Sequence, residues 1–259
     1  MKRPYDAVSP SELSTYNRCQ RLWAAKYVSD QWPLARGDTG NMRLGSAYHS
    51  VCDKYLAQGI IPTDPSNPLT TMFLAALPYL PKPFTGRVEH RFTRTIGGVP
   101  YQGRLDWQAP GHIIDHKTSK DPQRYGLRAV EDKLSDEQTV IYCAEYIADR
   151  DSIVFDHIYV RPHKEAAIKF GLPTTGRPDV PSALPSPVTL HREQLSAVWE
   201  PLVGEPSARL YSIRTKGKNR DPKDFPMPEN LSVCDEFGGC PCRSTCHAGL
   251  NPFTGADLI

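Results

Sequence analysis

The chain has no long apolar run, no glycine-rich phosphate loop and almost no net charge. Its longest apolar stretch, residues 72–80, is interrupted by Pro78 and is too short to cross a bilayer. Residues 1–6 hold nothing like the hydrophobic core of a secretory leader, so a cytosolic location is expected. No G-x-x-x-x-G-K-[ST] sequence is present, so an intrinsic ATP-driven motor is not expected. A net charge of +2 excludes a molecule-wide basic field, and any nucleic-acid site has to be a local patch. What remains is a chain of 259 residues, 39% hydrophobic, able to bury a sizeable core. Its 25 prolines mark many loops and interrupted elements. Its seven cysteines, in a reducing cytosol, point to metal binding rather than to a disulfide framework.

Residues 9–29 read as one amphipathic helix, opened by Ser9-Pro10-Ser11-Glu12 in the manner of a capping box. A loop over 36–41, a helix over 44–58, a linker over 62–68 and a short helix over 70–77 follow. The middle is β-rich. Strands over 87–96 and 99–108 flank Gly97-Gly98, a two-residue hairpin signal. The turn Ala109-Pro110-Gly111 leads to a strand over 112–118. A helix over 136–149, a strand over 152–161, a Pro-rich loop over 173–187 and a helix over 192–211 complete the pattern.

The sharpest chemical signal lies in Gly103-Arg104-Leu105-Asp106 and Ile113-Ile114-Asp115-His116-Lys117-Thr118. Strand alternation puts Asp115 and Lys117 on one face and His116 on the other. Antiparallel pairing about the Ala109-Pro110-Gly111 turn sets Asp106 opposite Ile114 or Asp115. Pairing about Gly97-Gly98 sets Glu89 opposite Asp106. Three carboxylates and a lysine then converge on a three-stranded meander. Like charges so close repel unless a cation answers them, and hard oxygen ligands suit Mg²⁺ or Mn²⁺. Such an ion activates water and shields a phosphodiester, while Lys117 stabilises charge on the phosphate.

In these residues the chain resembles the RecB-like branch of the PD-(D/E)xK nucleases, and most of all its iron–sulfur members, the phage exonucleases and CRISPR-adaptation nucleases. The resemblance runs from Ser9 to Cys246 as motifs in order: Ser11-x-Leu13-x-x-Tyr16-x-x-Cys19, Gly45-x-x-x-His49, Gly103-x-x-Asp106, Asp115-x-Lys117 and Gln138-x-x-x-Tyr142. It implies an α/β fold with a restriction-endonuclease-like core, a central mixed β-sheet flanked by helices, and a helical cap joining the two termini. The whole chain would be one nuclease domain, stapled by residues 9–30 and 230–250. It further implies that His49, Asp106, Asp115 and the backbone carbonyl of His116 hold the metal, that Lys117 is catalytic, and that Gln138 and Tyr142 serve the site and DNA. The implied activity is Mg²⁺- or Mn²⁺-dependent DNA hydrolysis. The implied substrate is single strands or DNA ends, in phage recombination or DNA processing. A separate helicase, recombination or CRISPR-adaptation partner fits the missing motor loop. A DNA-binding protein without catalysis and a zinc-stapled interaction module are the rival readings.

Cys234, Cys240, Cys242 and Cys246 crowd into 13 residues. With Cys19 supplied as in the family, the resemblance implies a [4Fe–4S] cluster on Cys19, Cys234, Cys240 and Cys246. Cys242 is then spare or replaces Cys240, and zinc is the chemical alternative. The isolated Cys52 and Cys143 read as buried small hydrophobes. For DNA, the candidates are a basic stretch of Arg209, Arg214, Lys216, Lys218, Arg220 and Lys223, and Arg87, Arg91, Arg94 and Arg104 on the hairpin. Tyr142, Tyr211 and Trp107 are candidates for base stacking.

Overall fold

The computed structural model describes residues 7–29, 40–123, 130–216, 220–228, 230–235, 240–243 and 246. Most of the predicted loop over 36–41, Lys218, and parts of both predicted staple segments lie outside the described residues. The fold is α/β. Five strands form one mixed sheet in the order β1-β2-β3-β4-β5: β1 (Arg87–Ile96), β2 (Val99–Ala109), β3 (His112–Thr118), β4 (Ser152–Arg161) and β5 (Ser182–His191). Every neighbouring pair is antiparallel except β3 and β4, which run parallel. The predicted turns set the register. Ile96 pairs with Val99 across Gly97-Gly98, and Ala109 pairs with His112 across a turn where Gly111 has φ +81°. Only glycine holds that backbone conformation without strain.

Parallel strands need a crossover. Here it carries α5 (Val130–Leu134) and α6 (Glu137–Tyr146), following α1 (Pro10–Arg18), α2 (Gln20–Tyr27), α3 (Gly40–Gln58) and α4 (Pro68–Ala76) in chain order. Beyond β4 come α7 (Lys164–Lys169), α8 (Arg192–Trp199) and α9 (Glu205–Lys216). The sheet is covered on both faces. Leu13, Tyr101, Leu105, Ile113, Val140 and Phe155 are among the residues of one core, beneath α1, α6, α8 and α9. Leu44, Tyr48, Phe73, Ile114, Ile158 and Val160 belong to the other, beneath α3 and α4. No helix among the described residues is long and apolar enough to cross a membrane.

Several elements depart from the sequence reading. The single helix expected over 9–29 is two, broken at Cys19, which is extended (φ −160°, ψ 107°) and caps α2 by accepting from the Leu22 N–H at 3.4 Å. The capping box at Ser9 is half made. Ser9 Oγ accepts from Glu12 N–H, but the Glu12 side chain turns inward to Trp23 and Arg214. The Pro-rich segment expected as loop, 173–187, holds the first part of β5. Pro185 and Pro187 sit within it because it is an edge strand, where a missing N–H leaves no ladder bond unmade. The helix expected over 192–211 extends to Lys216 and contains a π-helical turn, Glu200–Gly204, at Pro201. Helices α5 and α7 had no clear signal.

Candidate active site

Strand alternation breaks at the place where the carboxylates gather. In β1, Val88 packs into the α3 core, whereas Phe92 lies in the α1 core and the His90 ring is 6.1 Å from that of Tyr146. In β2, Trp107 belongs to the α3 core and Leu105 to the α1 core. Residues two apart should share a face, so both strands switch faces between these positions. Val88 pairs with Trp107 and His90 with Leu105, which puts the switch at the positions between them, Glu89 and Asp106. Glu89 is left-handed, with φ +51°. For a non-glycine residue that costs about 1–3 kcal/mol, which surrounding structure must offset.

Asp115 and Lys117 meet. Lys117 Nζ is 2.7 Å from Asp115 Oδ2, and Gln138, on α6, bridges them: its Nε2 donates to Asp115 Oδ1 at 2.9 Å and its Oε1 accepts from Lys117 at 3.2 Å. Parallel pairing sets His157 of β4 beside Asp115, with its Nε2 3.4 Å from Oδ2. Behind His157, the fully buried Lys133 contacts His157 Nδ1. Burial pushes the Asp115 carboxyl up, against the pull of Lys117, and Asp106 pushes it the same way. Burial opposes the charge on Lys117, but Asp115 outweighs it and holds the ammonium above its ordinary value.

Asp106 is fixed from two sides. The His116 N–H donates to its Oδ2 at 2.7 Å, and His49 Nδ1 of α3 lies 3.2 Å from its Oδ1. Burial raises the Asp106 carboxyl, yet the hydrogen bond and charge of His49 leave it below the ordinary range. The His116 side chain points away from Asp115 and packs beside Tyr48 and His49. It is fully buried, and burial lowers it to about 4, so it is neutral. Glu89 pairs with Arg104 at 2.8 Å. Asp53, one turn beyond His49 on α3, was not foreseen. Burial, then Glu89 and Asp106, push its carboxyl up to about 7, and its Oδ1 is buried without a partner. A His at i and an Asp at i+4 on one helix face was the readable signal. For His157 there was none, because its place beside Asp115 follows from the crossover.

Tyr142 lies against the hairpin, and its hydroxyl donates to the Arg104 carbonyl at 2.9 Å. Its ring explains Gly103: a Cβ there would come within 2.7 Å of the Tyr142 ring and 2.4 Å of Phe92. Two lobes of a cleft meet at Asp136 and Gln138. One, of about 810 Å³, runs between the start of α1 and the hairpin, past Ser11, Thr15, Arg91 and Arg104. The other, of about 620 Å³, opens over Lys117 toward Lys120, Tyr159 and Arg177.

Several candidates for DNA contact are used elsewhere. Arg214 is buried and grips Glu12 at 2.7 and 3.0 Å, so it is a structural residue. Trp107 is 4% exposed within the α3 core and Tyr142 is 6% exposed, so neither ring is free to stack on bases. Arg209 pairs with Glu205, and Arg94 with Glu145. Cys52 and Cys143 are fully buried.

Cys19, Cys240, Cys242 and Cys246 cluster with Leu22 and Ala25 of α2. Arg21 ties the same helix to the tail, donating to the Phe225 and Lys223 carbonyls and to Cys246 Sγ. Burial raises the Cys19 and Cys234 thiols. Cys240 and Cys246 raise both further, and Cys19 also raises Cys234. Those four are the expected ligand set, but Cys242 and not Cys234 shares the packed cluster with the other three. Among the described residues no three His, Cys, Asp or Glu side chains stand close enough together to hold a metal ion as they are.

No protein-family model matches the chain, and no curated protein does. Among solved structures, a "putative exonuclease" from Eubacterium rectale matches with a TM-score of 0.52 at 11% identity, covering 98% of this chain and 94% of that one. A second, SSO0001, matches with a TM-score of 0.41 at 14% identity, over 97% and 91% of the two chains, and carries no argument. At such identity the first likeness is one of fold, shared over nearly the full length of both chains.

Proposed function

We propose that the protein is a metal-dependent deoxyribonuclease acting on single strands or DNA ends. The observation that carries this reading is the join of Asp115, Lys117 and Gln138 beside Asp106 and His49, at the neck of a two-lobed cleft. The name of the solved structure that shares the fold points the same way. Asp106, Asp115 and His49 would hold Mg²⁺ or Mn²⁺, with the His116 carbonyl as a further oxygen ligand. The donor types suit a hard cation, and Asp53 beside them keeps a buried oxygen without a partner, but the side chains would have to draw together to hold the ion. When bound, such an ion supplies a polarised phosphate and a more acidic water. Lys117 neutralises charge that builds on the phosphate oxygens. Gln138 holds Lys117 and Asp115 at a fixed separation, and His49 and the His116 N–H fix the orientation of Asp106. Glu89 keeps Arg104 at the edge of the cleft, where a strand would pass.

The test is digestion of end-labelled single- and double-stranded oligonucleotides with Mg²⁺, Mn²⁺ or chelator. Stepwise shortening with either ion and none with chelator is expected. Intact DNA under all three conditions overturns the reading. The four thiols are proposed to bind a [4Fe–4S] cluster that clamps α2 to the tail, with zinc as the alternative. The support is the packing of Cys19, Cys240 and Cys246 against α2, and the sequence resemblance. Iron and sulfide content of anaerobically purified protein distinguishes the two. If Cys19→Ala and Cys240→Ala variants keep full thermal stability, the site is not a staple.

A further inference from the structure

Lys120 and Arg177 line the smaller lobe and Arg161 stands next to Arg177, all three with no carboxylate partner among the described residues. Lys120 follows β3 by two residues, Arg161 ends β4, and Arg177 lies between α7 and β5. Backbone carbonyls hold the two arginines: Arg161 donates to Gly176 at 3.0 Å and Arg177 Nε to Pro173 at 2.9 Å. A Cβ on Gly176 would lie 3.6 Å from Lys120 Nζ, which places that ammonium over the residue before Arg177. Arg161 Nε and Arg177 Nη1 are buried with no hydrogen-bond partner.

The nearby acids are engaged elsewhere. Asp179 turns to Lys164 at 2.7 Å. Glu165 lies beside His163. Asp136, across the lobe, caps α6 by accepting from the Thr139 N–H and hydroxyl. Burial, and then the charge of Arg161, hold the Arg177 guanidinium below its ordinary value. A bound anion would relieve that repulsion. Leu44, Tyr159 and Pro162 give the same lobe an apolar wall, suited to a sugar or base.

We infer that this lobe seats the phosphorylated end of a nucleic-acid strand, its terminal phosphomonoester on Lys120 and Arg177, with the charge of Arg161 beside them. This rests on the nuclease reading only in placing the strand across Lys117. Charge selects an end over an internal linkage. A terminal phosphate carries about −1.5 to −2 at neutral pH, whereas a phosphodiester carries a single charge. Three cations match the former, and arginine forks suit its several oxygens.

The test is equilibrium binding without added divalent cation, so that nothing is cut. Fluorescent single-stranded oligonucleotides bearing a 5′-phosphate, a 3′-phosphate or only hydroxyl ends are compared by anisotropy. One phosphorylated end is expected to bind about tenfold more tightly than hydroxyl ends, the scale of a charge-assisted contact. Arg161→Gln/Arg177→Gln should erase that preference and leave binding of the hydroxyl-ended strand unchanged. Lys120→Gln, at an exposed position, should reduce the preference about threefold and serves if the double variant does not fold. Equal binding of all three strands overturns the inference, as does a preference that survives in the variants. Displacement of the phosphorylated strand by an equal concentration of inorganic phosphate also overturns it, since the lobe would then be a free-phosphate site. Adding Mg²⁺ to the same samples reads the nuclease proposal separately. Absent cleavage with an intact end preference defeats that proposal and not this one.

Discussion

Two buried acid–base pairs in this molecule are built to opposite ends. Glu12 and Arg214 join α1 to α9, with side chains 3% and 5% exposed. Both Glu12 oxygens accept from Arg214, and Oε1 also accepts from the Trp23 indole. Asp115 is as deeply buried, but the side chain of its partner Lys117 is 36% exposed and faces the cleft. The first pair is closed around by protein. The second is held by Gln138 and His157, yet remains open to a ligand. A closed pair secures packing. An open pair whose carboxylate is pushed up by burial and by Asp106 holds charge in readiness for a cation and a phosphate.

The largest effect should come from breaking the closed pair. Glu12→Ala leaves Arg214 buried and unanswered, and should cost about 3–5 kcal/mol of unfolding free energy. Denaturant titration measures this, and a loss near zero would put the two pairs in one class. Next is the open pair. Asp115→Asn should keep the thermal midpoint within a few degrees and reduce cleavage about a hundred- to a thousandfold. A smaller effect is expected behind it. His157→Gln should lower the rate about 10–100-fold, as loss of a group that orients a ligand does, and should weaken Mn²⁺ binding in a calorimetric titration. A variant with unchanged affinity and rate would leave His157 a packing residue.

The smallest effect is a dependence on pH. Asp53 is raised to about 7 in the folded chain, above its unfolded value. The folded state then binds its proton more tightly, so metal-free stability is highest below the unfolded pKa and falls as pH rises toward 7. Asp53→Asn should flatten that decline in thermal melts taken across this range. A slope identical to wild type would show that Asp53 is not perturbed.

The two regions also differ in how far they could be read from sequence. The hairpin turns announced themselves through Gly97-Gly98 and Gly111, and pairing from those turns placed Glu89, Asp106 and Asp115 together. Alternation within β3 gave the Asp115–Lys117 face and turned His116 the other way. What escaped is what only the third dimension decides. His157 reaches Asp115 through a parallel crossover. The face switch at Glu89 and Asp106 contradicts regular alternation. Edge placement let Pro185 and Pro187 stay in a strand, where composition argued for loop. The Glu12–Arg214 pair is hidden for the same reason: its residues lie about 200 apart in the chain, one reading as a cap and the other as a DNA contact.

The most direct test of the open pair is single-turnover cleavage of a labelled single strand by wild type and Lys117→Ala, at equal folded fraction and saturating Mn²⁺. The account predicts a rate lower by about a hundred- to a thousandfold with an unchanged thermal midpoint. Equal rates for the two proteins would contradict it.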